Sequence, residues 1–344
     1  MNSRYTIIIF ILLSLLSQTV SGQRWFRVAH YNMENVFDTI HDAGKTDEGF
    51  LPASEREWDS RKYRTKLANL ARAIAGMGQT QPVDVIGVCE VENDSVLRDL
   101  TERTMLRRLG YKYIATSSND VRGIDVGLLY QPERFLPLSV DTISVPYDSI
   151  ERPTRDILHV CGMAASGDTL HIFVNHWPSR RGGKLVTQDY RMRAARTIMQ
   201  FLDSLFVSEP DAKIILVGDF NDEYRDNSIR HGLRARAGFD YKGEADPRGL
   251  YVLTARKKGR NGIKGTYKYR GRWNQLDQII VSGNLLQGRG LRTSYDDCRI
   301  VDDIPFLLEK DKNGKSVKPR HTYYGTYYRG GTSDHLPVIA VFHY

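Results

Sequence analysis

The spacing of apolar residues changes along the chain, and each change marks an element. Phe26-Arg-Val-Ala-His-Tyr31 alternates apolar and polar positions and predicts a first strand. Across Tyr63 to Met77, Leu67, Leu70, Ala71 and Ile74 recur at helical spacing, and Gly76 and Gly78 close that helix. Val83 to Cys89 reads as a second, buried strand. A helix is expected over Val96 to Leu109, followed by strand-like runs at Tyr111 to Ala115, Ile124 to Tyr130, Phe135 to Val145, Ile157 to Met163 and Leu170 to Val174. Gln188 to Phe206 reads as an amphipathic helix, and Lys213 to Val217, Leu276 to Val281 and Val338 to Phe342 read as strands. Helices alternate with strands early, hairpin-like runs fill the middle, and no linker rich in Pro, Gly or Ser divides the chain. One domain is expected, an α/β fold whose stacked sheets carry helices on their outer faces.

The first residues depart from this pattern. Arg4 precedes an apolar run from Ile7 to Leu16 broken only by Ser14, and Val20-Ser-Gly22 supplies small residues for cleavage. Residues 1–22 read as a secretory signal peptide and 23–344 as the mature domain. A retained anchor is the alternative, but the run is short of the roughly 20 residues a membrane helix needs. The expected location is secreted or periplasmic, as a monomer with no stable membrane anchor after cleavage. Loss of Arg4 takes the formal net charge from +8 to +7, which still favours an anionic partner such as nucleic acid or an anionic lipid surface. Cys89, Cys161 and Cys298 are too scattered for a disulfide framework or a zinc site, and a Cys161–Cys298 pair stays open.

Candidate chemistry sits where apolar runs end. Lys213 to Val217 leads into Gly218-Asp-Phe-Asn221, a carboxylate and a carboxamide two positions apart at a strand mouth, with Gly218 expected to turn the backbone. Asn32 and Glu34 follow the first strand, Glu90 the second, Asn175 and His176 the run to Val174, while Asp334 and His335 precede the last strand. One such group is an ordinary polar turn; five with an acid, amide or imidazole point to a shared site. Hard oxygen donors without cysteine suit Mg²⁺, Mn²⁺ or Ca²⁺, which polarise a phosphoryl oxygen for in-line attack by water. Glu90 and Glu34 fit as ligands, Asp219 or His335 as base, and His176, Asn32 and Asn221 as donors to phosphate.

Six motifs in order, Asn32-Met-Glu34, Gly87-Val-Cys-Glu90, Asn175-His-Trp-Pro178, Gly218-Asp-Phe-Asn221, Leu276-Asp277 and Ser333-Asp-His335, resemble the endonuclease/exonuclease/phosphatase superfamily. The resemblance runs from about residue 26 to the C-terminus and implies a DNase I-like four-layer α/β/β/α sandwich of two mixed, mainly antiparallel sheets. It implies Glu90 as principal metal ligand, with Asn32 and Glu34 beside it and Asp334 in support. Asp219 would orient or deprotonate the attacking water and Asn221 would hold water or phosphate. His335, oriented by Asp277, would bind the scissile phosphate or move a proton. His176 stands where members carry Tyr or His and would contact phosphate or protonate the leaving oxygen.

Arg256 to Arg272 holds 8 basic residues and no acid, interleaved with Tyr267 and Tyr269 and leading into Trp273. Such a stretch can hold phosphates while rings stack on bases. Arg180, Arg181 and Lys184, around Gly182 and Gly183, form a flexible basic lip. Arg180, Arg181, Tyr267, Lys268 and Trp273 are therefore the expected substrate contacts, and the expected substrate is nucleic acid, DNA or RNA. A sphingomyelinase-like enzyme would need an exposed apolar hairpin, and no loop pairs exposed aromatics with aliphatics. An inositol phosphate phosphatase also suits basic loops. A non-catalytic binding protein on this fold predicts damaged site residues, whereas the set is intact.

Overall fold

The computed structural model describes residues 24–147, 153–310, 314 and 316–344, so the expected signal peptide lies outside the described residues. In chain order the strands are β1 (Trp25–Val36), β2 (Val85–Val91), β3 (Lys112–Ala115), β4 (Asp125–Tyr130), β5 (Phe135–Ile143), β6 (Ile157–Ala164), β7 (Thr169–His176), β8 (Lys213–Asp219), β9 (Arg236–Ala237) and β10 (Leu250–Val252). They continue as β11 (Tyr267–Tyr269), β12 (Arg272–Asn274), β13 (Asp277–Ser282), β14 (Cys298–Ile300), β15 (Leu308–Lys310), β16 (Val317–Pro319), β17 (Tyr323–Tyr324), β18 (Tyr327–Tyr328) and β19 (Val338–His343). The longer helices are α1 (Ser60–Met77), α2 (Asp94–Glu102) and α3 (Gln188–Ser208).

Two mixed sheets carry the molecule. The first runs β14-β19-β1-β2-β4-β3 and the second β5-β6-β7-β8-β13-β10-β9. Most pairings are antiparallel, but each sheet has a parallel pair at its centre, β1 with β2 and β7 with β8. Parallel neighbours need a crossover, and α1 and α3 supply the two crossovers. Asp59 caps α1 by accepting from Lys62 N at 2.7 Å, and Leu67, Leu70, Ala71 and Ile74 bury its apolar stripe. Ala194, Ala195, Ile198, Leu202 and Phe206 of α3 pack on Ile214 and Leu216, the outer face of the second sheet. The inner faces pack together at Gly87, where a Cβ would lie 2.5 Å from Val217 Cγ2 and 3.2 Å from Val174 Cγ1. Glycine there sets how closely the sheets approach.

Three expectations change. The helix expected over Val96 to Leu109 stops at Glu102, because Thr104 Oγ1 accepts from Leu106 N and starts a separate 3₁₀ turn, Met105–Leu109. Gly218 does not turn: it pairs with Asn175 and Gln278 inside β8, and a Cβ there would meet the Asn175 carbonyl oxygen at 2.3 Å. Cys161 lies in β6 of the second sheet and Cys298 in β14 of the first, and all three cysteines are free thiols. Among the described residues no helix is long and apolar enough to cross a membrane.

Candidate active site

The ends of the two parallel pairs meet at one pocket, and the backbone there departs from regular strand geometry. Glu34 (φ 52°), Asn35 (φ 46°), Glu90 (φ 60°) and Asn221 (φ 50°) are non-glycine residues in the left-handed region. Such positions cost on the order of 1–3 kcal/mol each and survive where the surroundings impose them. The β1 register shifts between Asn32 and Val36, and that of β2 between Cys89 and Val91, so both strands bulge at the site. Strict alternation sets Glu90 opposite Cys89, and the bulge re-aims it into the pocket.

At the centre, His335 Nδ1 lies 2.7 Å from Asp277 Oδ2, and His30 Nε2 is 3.2 Å from the other oxygen. Burial alone would raise the Asp277 carboxyl, but His335 and His30 hold it well below the usual carboxylate range. Burial works against a charged His335, yet the carboxylates of Asp277, Asp219 and Asp334 raise it well above an ordinary histidine, so it is an imidazolium. Asp219 closes β8 with Oδ2 3.7 Å from His335 Nε2 and 3.1 Å from the Asn32 amide. Burial raises its pKa above the ordinary aspartate value. Asn221 is not beside Asp219 on an extended strand; its N–H donates to Asp219 Oδ1 at 2.8 Å and its amide to the Trp177 carbonyl at 3.0 Å. His176 Nε2 is 3.6 Å from Glu90 and 4.0 Å from Asp219, and burial with the charges of Arg155 and Arg122 keeps it neutral.

The other side of the pocket is acidic. Glu34, Asp334 and His321 each bring a ligand atom within 4.8 Å of the others. Glu34 Oε2 accepts from Thr322 N at 2.6 Å and lies 3.6 Å from buried Lys66 Nζ. Glu90 Oε2 accepts from Asn35 N at 2.9 Å and its Oε1 faces the Asn32 amide at 3.4 Å. Asp334 is pushed up to about 8, first by burial and then by the Glu34 and Glu90 carboxylates, although His335 opposes the shift. Like charges converging on hard oxygen donors fit a divalent cation.

The walls sort the expected substrate contacts. Arg181, Lys184 and Tyr267 line the pocket together with Arg122 and Tyr269. Tyr267 stacks on His335 at 4.8 Å between ring centres, and Tyr269 lies parallel to Tyr267 at 6.4 Å. Lys268 and Trp273 are not in the pocket, a correction to the sequence expectation. Lys268 Nζ donates to Ser316 Oγ and Val317 O, both at 2.7 Å, and sits over the Trp273 ring, because alternation along β11 turns it away from Tyr267 and Tyr269. Arg180 lines the wall, but its guanidinium is held by Asp226 at 2.7 Å and Asp222 at 3.2 Å. The lip tip exposes Leu185 (80 %) and Val186 (76 %), an apolar pair that the sequence reading did not anticipate.

Sequence reasoning also missed His30, Lys66, Arg122, Arg155 and His321. Lys66 had a signal: with Lys62 it lies on the buried stripe of α1, where a lysine calls for a partner. His321, between short hairpins, follows no apolar run and had none.

A family model described as the Endonuclease/Exonuclease/phosphatase family matches residues 27–343. Comparison with curated proteins gave no match. Among solved structures, an endonuclease/exonuclease/phosphatase family protein from Bacteroides thetaiotaomicron is similar at 17% identity and TM-score 0.59, over 93% of this chain and 98% of that one. A mannosyl-6-phosphatase from the same organism matches at 16% identity and TM-score 0.57, over 92% and 99% of the two chains. D. rerio TDP2 complexed with a single-strand DNA product matches at 15% identity and TM-score 0.54, over 92% and 98%. At these identities the structural likeness speaks for the fold.

Proposed function

Because this chain belongs to the endonuclease/exonuclease/phosphatase family, a family of phosphoester hydrolases, we propose that it is an exported, divalent-metal-dependent phosphodiesterase that hydrolyses nucleic acid. The observation that carries the reading is the charge division of one pocket. A buried imidazolium–carboxylate pair and the Asp219 carboxylate face a cluster of acids. Glu34, Asp334 and Glu90, with His321 in reach, would hold Mg²⁺ or Mn²⁺, which when bound polarises a phosphoryl oxygen.

The remaining roles follow from protonation. His335 already carries its proton, so Asp219 is the base that takes a proton from the attacking water. His335, aimed by Asp277, donates from Nε2 to a non-bridging phosphate oxygen. Neutral His176 contributes a hydrogen bond rather than a resting proton for the leaving group. Asn221 fixes Asp219 through its N–H, and Asn32 steadies the same carboxylate from the first sheet. Tyr267 and Tyr269 offer parallel ring faces for bases opposite the basic lip.

A second reading has its own observation. The exposed Leu185-Val186 tip beside Arg181 and Lys184 suits contact with a lipid surface, as a phospholipid-cleaving enzyme would need. One assay panel separates them: mature protein with single-stranded DNA, RNA, sphingomyelin, a sugar phosphate and an inositol phosphate, in Mg²⁺ or Mn²⁺ and again in EDTA. Metal-dependent cutting of DNA or RNA is expected. Hydrolysis of lipid or phosphomonoester with both nucleic acids untouched overturns the nuclease reading.

A further inference from the structure

A second groove, apart from the catalytic pocket, is lined by Arg225, Arg230, Arg234, Arg236 and Arg256, with Asp240 the one acid on its lining. All five arginines are exposed. Arg234 is shared with Asp203 at 3.4 Å, and Arg256 donates to Tyr224 Oη at 2.8 Å while lying 4.8 Å above the Phe239 ring. Arg225, Arg230 and Arg236 make no ion pair among the described residues. Tyr224 and Phe239 form the floor, edge to face with centres 5.9 Å apart.

Like charges this close repel, and a mobile segment would let them disperse. This segment is held. The turn Ser228–Gly232 packs on α3 so tightly that a Cβ at Gly232 would lie 2.6 Å from Ala195 Cβ, and Arg236 sits in β9, paired with β10. We propose that the groove is an anion site that takes the phosphodiester backbone of a nucleic acid strand away from the bond being cut. This rests on the nucleic-acid reading of the active site.

Position supports the proposal. Beyond β10 the chain continues alongside β13, with Leu253 N bonded to Ile279 O and Thr254 beside Gln278, which in turn donates to Asp222 O. Arg256 therefore emerges at the end of the second sheet that carries Asp277 and Asp219. Arg236 lies two strands from β13 and level with Val281, four residues from Asp277; at about 4.8 Å between strands and about 3.4 Å per residue it stands roughly 15–20 Å from those carboxylates, a span that a strand of several nucleotides covers. The open line of Arg225, Arg230 and Arg236 suits repeating phosphates, and the Tyr224 and Phe239 rings beneath Arg225 and Arg256, at 5.3 and 4.8 Å, hold those guanidiniums in the groove. A membrane fits less well, since no exposed large apolar residue lies between Val207 and Tyr269.

The test is the double variant Arg230→Ala/Arg236→Ala against fluorescein-labelled oligothymidylates of 4 and 16 nucleotides. Binding is read in EDTA across a salt series and turnover in Mn²⁺, with the melting temperature as a check on the fold. Affinity for the 16-mer should fall about tenfold, and the log–log salt slope should drop by about 1.4, roughly 0.7 per lost contact on a single strand. KM for the 16-mer should rise while kcat stays within about twofold. The 4-mer, which can fill the pocket or the groove but not span both, should lose less affinity than the 16-mer. Equal 16-mer affinity in variant and wild type overturns the groove and leaves the nuclease reading standing. Groove-dependent binding by a wild type that cuts no oligonucleotide sinks the nuclease reading and keeps the groove. Tighter binding to phosphatidylserine vesicles than to the 16-mer also overturns the proposal.

Discussion

On one side of the pocket Asp277 and His335 meet at 2.7 Å with opposite charges, whereas on the other Glu34 and Asp334 converge with Lys66 3.6 Å from Glu34 and with a His335 charge that Asp277 already shares. Burial pulls Lys66 below an ordinary lysine even as Glu34 and Asp334 resist that shift, so it offsets the acids only in part. The first side is complete as folded; the second gains its counter-charge from outside. A site that must release product and rebind an ion can tolerate the second arrangement, while the group that meets the phosphate needs the permanence of the first.

The largest effects should come from the self-sufficient side. Asp219→Ala should lower kcat about 10³-fold, the scale of a lost general base. His335→Gln should lower it about 10²- to 10³-fold. Activity should climb as pH rises through the raised Asp219 pKa and decline as it passes the raised pKa of His335, well above 6.5. His335→Gln should keep the acid limb and lose the alkaline one, so a retained alkaline limb in that variant breaks the assignment. Linkage gives the same pair a stability window. The depressed Asp277 contributes stability above about pH 3.9 and loses it as pH falls, and the raised His335 contributes below about 6.5 and loses it as pH rises. The pair is therefore worth most between those values.

The acidic side should answer to metal instead. Asp334 is raised to about 8, so ionising it costs folded stability progressively from about pH 3.9 up to about 8. Without metal, Asp334→Asn should melt higher than wild type at pH 8.5, by roughly 2–4 °C for each kcal/mol relieved. Mn²⁺ should raise the wild-type melting temperature more at pH 8.5 than at pH 5.5. Equal metal shifts at both pH values would remove the contrast between the two sides.

The smallest effect concerns the hairpin above them. Tyr267→Ala should raise KM for a single strand several-fold, since stacking contributes about 1–3 kcal/mol per base. Lys268→Ala should change it less than twofold; a larger loss there would put Lys268 back on the substrate.

The two parallel pairs were the most readable part of the fold, because strands buried on both faces leave continuous apolar runs and their crossover helices keep a 3.6-residue period. The polar groups ending those runs, Asn32, Glu90, His176, Asp219 and Asn221, do come together. The hairpin was misread at Lys268 and Trp273, since charge and aromaticity in a short segment do not reveal which face a strand turns to the pocket. Arg180 does line the pocket, but its ion pairs were not legible in the sequence, because its acidic partners Asp222 and Asp226 stand more than forty residues away in the chain.

By itself the sequence determined the two-sheet plan, the order of the strand-end polar groups and the family, all of which rest on local periods and short motifs. Tertiary structure decided the left-handed bulge that re-aims Glu90, the charge of His335, the neutrality of His176 and the arrival of His321 beside Glu34 and Asp334. Those properties depend on burial and on charges brought together from distant segments. They belong to the packed sandwich rather than to any stretch of chain.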